Sequence, residues 1–95
     1  MTAARSTISV DNDEIRVTTW TFRAHGASTG RHRHEFDYVV VPVTGGTFVV
    51  TGEDGSVREM TQTAGAPYLG VAGTTHDVAS TPGSDAVFVE IELKR

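Results

Sequence analysis

The sequence predicts an all-β fold, and three observations point to it. No window sustains the 3.6-residue apolar period of an amphipathic helix. Short β-branched and aromatic runs recur along the whole chain, and clusters of Gly, Pro, Asn and Asp break them at spacings typical of a sandwich or barrel. With 95 residues the chain holds one domain with one core, read as residues 1–95.

The elements follow in order. Ser6–Val10 and Glu14–Ala24 flank Asp11-Asn12-Asp13 and read as a hairpin. In the second run Ile15, Val17, Thr19 and Thr21 share one face and Arg16, Thr18, Trp20 and Phe22 the other. Residues 26–30 read as a loop, after which Phe36–Val43 resumes strand character up to Pro42 and Gly45-Gly46. Thr47–Thr51 and Ser56–Thr61 enclose an Asp54-Gly55 turn, a strong hairpin signal. Pro67–Val71, Thr75–Ser80 and Ala86–Leu93 complete about eight strands. No linker, low-complexity stretch or repeat interrupts them.

Composition narrows the function classes. The absence of cysteine excludes disulfides, thiolate metal sites and a cysteine nucleophile. The first residues lack the apolar stretch of a signal peptide and no run reaches spanning length, so a cytoplasmic protein without membrane association is expected. Eight Lys and Arg without a basic block, within a net charge of −4, argue against a nucleic-acid partner. Nothing resembles a Ser-His-Asp constellation or a phosphate-cradling loop.

The chemistry concentrates in residues 32–39, His-Arg-His-Glu-Phe-Asp-Tyr-Val. On a strand, residues i and i+2 share a face about 6.6 Å apart, so His32 and His34 can converge on one ion. Alone, such a pair is as well explained by exposed strand decoration. The wider spacing changes the weighing. Gly26, His32, His34, Tyr38 and Gly45 form one pattern, and Gly65, Val71, Gly73, His76 and Ser80 a second. These resemble the two motifs of the cupin family, G-x5-H-x-H-x3-E-x6-G and G-x5-P-x-G-x2-H-x3-N. The likeness covers residues 26–80; every glycine and histidine matches, while Tyr38, Val71 and Ser80 replace the acid, the proline and the asparagine.

The resemblance implies a small jelly-roll, or double-stranded β-helix, barrel with His32, His34 and His76 around one divalent transition metal. Imidazole nitrogens suit Fe, Zn, Ni and Mn, and three of them leave positions for water and substrate. Because the bonding nitrogen must be deprotonated, occupancy is expected to fall as pH drops through ~6.5.

By alternation Tyr38 points inward beside the histidines, where the family's glutamate would sit. It is the candidate catalytic residue, a hydrogen-bond donor to a bound water or ligand; the alternative is a packed aromatic that closes the pocket. Glu35 and Asp37 have the opposite parity and face outward unless a bulge re-aims one. Glu90 is also assigned outside, because Val87, Val89, Ile91 and Leu93 form the apolar face of its strand. His25 matches no motif position and reads as a surface or rim residue. Arg31 and Arg33 read as solvated charges by parity, with the alternative that Arg31, preceding the barrel entrance, meets a carboxylate substrate, and Trp20, Phe22, Phe36, Phe48 and Tyr68 belong to core or pocket wall.

Two functions compete. One is a metal-dependent enzyme, oxygenase-like or isomerase- or lyase-like, acting on a small chelating substrate. The other is a non-catalytic small-molecule-binding or sensing module, with the metal structural or absent. A homodimer is the expected assembly, since so small a barrel leaves sheet edges and apolar surface to cover.

Overall fold

A computed structural model describes residues 3–24, 26–81, 83 and 85–94. The expected elements are present, with one addition. The strands are β1 (Arg5–Asp11), β2 (Ile15–Phe22), β3 (His32–Arg33), β4 (Asp37–Pro42), β5 (Gly46–Gly52), β6 (Val57–Gln62), β7 (Tyr68–Gly70), β8 (Thr75–Ser80) and β9 (Ala86–Leu93). The addition is β3, a two-residue strand in a stretch too short and too polar to carry a periodic signal.

The strands form two antiparallel sheets, ordered β1-β2-β9-β4-β7 and β3-β8-β5-β6. Turn chemistry fixes the hairpins. Asn12 Oδ1 accepts from the Glu14 and Ile15 amides, and Asp54 Oδ1 from that of Ser56. Gly45 has φ +75°, and a Cβ there would lie 2.9 Å from the Gln62 carbonyl oxygen, so this motif position excludes any side chain.

The two inner faces enclose the core. Phe22, Phe48 and Phe88, at most 3% exposed, meet with ring centroids 5.2–5.7 Å apart. Val40, Val50 and Val78 extend this apolar layer. Phe48 and Phe88 come from different sheets, so the cluster staples the sandwich at one end of the barrel.

Two expectations need correction. The run around the first two histidines is not one continuous strand: His32 lies on β3 in the four-stranded sheet and Tyr38 on β4 in the five-stranded one. The chain changes sheets over residues 34–36, and His34 occupies the corner. Its amide donates to the Thr74 carbonyl at 2.8 Å, and its own carbonyl accepts from Gly73 at 2.7 Å. The second correction is Glu90, which faces inward. Its register partners are Thr18 on β2 and Val40 on β4, both buried inner-face residues. The apolar alternation of Val87, Val89, Ile91 and Leu93 instead belongs to the outer face, where all four are half-buried. His25 lies outside the described residues.

Candidate metal centre

Each histidine reaches the site from a different local setting. β3 pairs with β8 so that His32 stands directly opposite His76, which places both imidazoles on the inner face. His34 enters from the corner, tied through its backbone to the turn that precedes β8. The next position in the row, Gly52 opposite His76, contributes no side chain.

The three rings form a propeller. Their centroids are 4.7, 4.8 and 5.0 Å apart, and their planes cross at 70–84°. His34 Nε2 lies 3.1 Å from both His32 Nε2 and His76 Nε2. A metal–nitrogen bond of ~2.0–2.1 Å separates adjacent ligand nitrogens by ~2.9–3.4 Å, depending on the bond angle. Both of these spacings fall within that window, and all three donors lie within 4.8 Å of one another, so the donor set can hold one divalent ion. His32 adds an orienting contact: Nδ1 lies 2.9 Å from the Gly30 carbonyl oxygen, which can only accept, so the proton of the neutral ring sits on Nδ1 and Nε2 keeps its lone pair.

Electrostatics favour neutral rings. Burial holds His34 down to about 4, with the neighbouring His32 and His76 adding to the effect. His76 is likewise lowered to about 4, by burial, by His32 and by the Arg58 cation. Imidazoles held in the deprotonated state are ready to ligate.

Glu90 is the candidate site residue that strand reading missed. Only 7% exposed, it accepts from Trp20 Nε1 through Oε1 at 2.9 Å, while Oε2 lies 3.8 Å from His34 Nε2. With His34 neutral this approach is not an ion pair; it sets a carboxyl group beside the ligand nitrogens. Burial raises the Glu90 pKa, and the Trp20 bond offsets part of that rise. Trp20 also lies nearly parallel to His32, with centroids 6.2 Å apart. A carboxyl group is therefore present, supplied by β9 instead of the first motif.

Tyr38 stands where alternation placed it, inside and beside the histidines. Its ring stacks on His34 at 3.8 Å and 19°, and it is 5% exposed. Gly70, its register partner on β7, makes room: a Cβ there would lie 2.0–2.4 Å from the Tyr38 ring. Burial, with a contribution from Glu90, pushes the phenol up to about 12, against an opposing hydrogen bond from Thr74. Tyr38 is thus a neutral hydroxyl at ordinary pH and a poor anionic ligand. Glu35 and Asp37 are exposed, as parity requires, and Asp37 caps the Ala72 amide at 2.8 Å.

The histidines and Glu90 form a wall between two cavities. One, of about 530 Å³, is bounded by Tyr38, Tyr68, Met60, Val78, His76 and Glu90. The other, of about 230 Å³, is bounded by Trp20, His32, His34, Glu35 and Glu90. Arg31 borders neither; its guanidinium donates to the Glu53 carbonyl oxygen at 3.4 Å.

A two-sheet barrel with three converging histidines on motif spacing defines the class: the chain belongs to the cupin family. It is similar to the β-alanine degradation protein BauB of Pseudomonas aeruginosa, with 48% identity over 88 residues, 93% of this chain and 90% of that protein. The crystal structure of a cupin domain from Bordetella pertussis superposes with a TM-score of 0.93 at 38% identity, covering 99% of this chain and 96% of that one. An RmlC-like cupin from Shewanella frigidimarina shares the fold alone, with a TM-score of 0.69 at 19% identity over 98% and 78% of the two chains. No family model matches the chain.

Proposed function

We propose that this protein is a metal-dependent enzyme that binds one divalent transition metal through His32, His34 and His76 and acts on a small chelating substrate held in the larger cavity. The observation that carries this reading is the convergence of three imidazoles, with His34 Nε2 3.1 Å from the Nε2 of each of the other two, beside a cavity of ligand size that His76 lines. The relative's name supports it, since degradation of a small amino acid is enzymatic chemistry on a compact polar molecule.

When bound, the metal supplies Lewis acidity, or a site for O₂ if it is iron. The remaining work falls to the chain itself. Glu90 Oε2 holds or accepts a proton beside the ligand nitrogens, and its raised pKa suits that exchange. Tyr38 keeps its proton, fixes the plane of His34 by stacking, and presents a neutral hydroxyl to the cavity. Trp20 holds the Glu90 carboxyl in place through Oε1 and leaves Oε2 free for the site. The apolar walls at Val50, Val78 and Phe88 exclude water from the substrate.

Metal analysis of tag-free protein tests the proposal. The wild type is expected to carry about one equivalent, and His34→Ala to lose it while keeping its fold by circular dichroism. A wild type that takes up no Fe, Zn, Ni or Mn under replete conditions would refute the reading. With metal bound but no turnover of any small chelating acid or sugar, the non-catalytic binding module is the correct alternative.

For assembly, we propose that a second copy covers the outer face of the five-stranded sheet. Val17, Ile91 and Val39 lie in register across β2, β9 and β4 there, each half-buried. Ile91→Glu is expected to shift a dimer to monomer in sedimentation at micromolar concentration.

A further inference from the structure

The larger cavity has a second polar end that the metal site does not use. Arg58 sits on β6 directly opposite Val50 on β5, and Val50 is 3% exposed on the inner face. Directly paired residues share a face, so the exposed Arg58 side chain leaves β6 on the inner side and borders the cavity. Its neighbour Glu59 has the opposite parity. Among the described residues no carboxylate lies within ion-pair distance of Arg58, whereas Arg16 has two and Lys94 one. The cation thus faces the cavity without an internal partner.

We infer that Arg58 is the anchor for a substrate carboxylate, and that the cavity takes short-chain carboxylic acids bearing a metal-binding oxygen, nitrogen or sulfur at the other end. This rests on the metal reading above and adds the substrate class to it. The polarity of the cavity sets the orientation. Glu90 stands at the histidine end and Arg58 at the other, so an anionic group is drawn away from the former and toward the latter. Val50, Val78 and Met60 supply apolar wall that suits a methylene chain. A guanidinium grips a carboxylate through two parallel N–H···O bonds, which a neutral amide cannot accept in the same way. The Arg58 charge is felt across the cavity: it adds to the lowering that burial causes at His76 and opposes the rise that burial causes at Tyr38 and Tyr68. Arg31, the arginine that sequence position suggested for this task, is occupied outside the barrel.

The test compares 3-hydroxypropanoate with 3-hydroxypropanamide by amide chemical-shift titration of the ¹⁵N-labelled protein, metal-free and zinc-loaded. The wild type is expected to bind the acid at least tenfold more tightly than the amide, with shifts at Val50, Val78 and Met60. Arg58→Met should reduce that preference below threefold while zinc affinity stays within twofold, and Arg58→Lys should fall between. Equal binding of acid and amide by the wild type overturns the inference. So does a preference that survives in Arg58→Met, since the metal itself would then hold the carboxylate. If the wild type takes up no zinc but keeps the Arg58-dependent preference, the anchor stands and the metal reading falls. If it binds zinc without any such preference, the metal reading stands and the anchor falls.

Discussion

The two ends of the barrel are built from opposed physical chemistry. At one end Phe22, Phe48 and Phe88 pack edge to face and tilted, without a polar side chain between them. At the other, three imidazoles, a carboxyl and a phenol crowd together, with His34, Tyr38 and Glu90 each at most 7% exposed. Burying the aromatic end removes apolar surface from water and stabilises the fold. Burying the polar end strips hydration from groups that titrate, as the lowered histidines and the raised glutamate show. Stability and chemistry are thus concentrated at different levels of the barrel, with Val50 and Val78 in the row between Phe48 and His76. A preorganised site that costs stability until its ligand arrives is common in enzymes.

The largest expected effect tests the aromatic end. Phe48→Ala should cost about 3–5 kcal/mol in urea unfolding, the usual range for truncating a fully buried phenylalanine. Zinc affinity of the folded fraction should change less than threefold. Stability and affinity falling together would break the separation of the two ends.

Next comes Gly70→Ala, which acts at the polar end by sterics alone. The added methyl collides with the Tyr38 ring, so the ring or β7 must shift, at about 1–3 kcal/mol. Displacing the ring releases His34, and metal affinity should fall about tenfold, as when an orienting contact is lost. The double variant Gly70→Ala, Tyr38→Ala should recover most of the lost stability relative to Tyr38→Ala alone. No recovery would mean that the ring is not what the methyl meets.

The pH dependence of the metal-free protein is smaller and separates the two ends without mutation. Unfolded histidines take up protons near 6.5, whereas folded His34 and His76 resist until about 4. The unfolded chain therefore binds more protons between those values, and stability present above ~6.5 is lost as pH falls toward 4. A decline of at least ~1.4 kcal/mol, the equivalent of one pKa unit, or ~4–8 °C in Tm, is expected across that window. The same depression lets the metal compete with protons below 6.5, so occupancy should persist to lower pH than free histidine would allow. A flat stability profile between pH 6.5 and 4 would show that the imidazoles are not held neutral by burial.

Legibility in the sequence follows the same division. The strands, the Asp54-Gly55 and Asp11–Asp13 turns and the three histidines are encoded in local spacing, and His32 opposite His76 was foreseeable once two motifs lay on adjacent strands. Glu90 was not, because its strand is apolar on the outer face and mixed on the inner one, the reverse of a sheet with one face in water. Only pairing with Thr18 and Val40 reveals which side is inside. Arg58 was hidden for the same reason: its facing depends on its partner Val50 on β5, not on its neighbours in sequence. The sheet change at His34 escaped alternation because a corner leaves no periodic trace.

Glu90→Gln should have the smallest effect on the fold and says most about the polar end. The glutamine retains an oxygen for the Trp20 N–H, so packing is preserved. It removes a carboxyl whose raised pKa marks a charged form that folding disfavours. For such a group, stability is complete below the ordinary value of 4.5 and is lost as pH rises through the folded one, the opposite sign to the histidines. Glu90→Gln should therefore leave the metal-free protein unchanged or slightly more stable at pH 7, by up to ~1 kcal/mol. Its amide N–H₂ can donate to the His34 lone pair across the present 3.8 Å gap and so compete with the metal, and zinc affinity should fall about tenfold. A variant that is stabilised without metal and weakened in metal binding would place the strain of this barrel at Glu90. Loss of stability at pH 7 would show instead that the carboxyl supports the fold, and the division between the two ends would have to be redrawn on the Trp20 side.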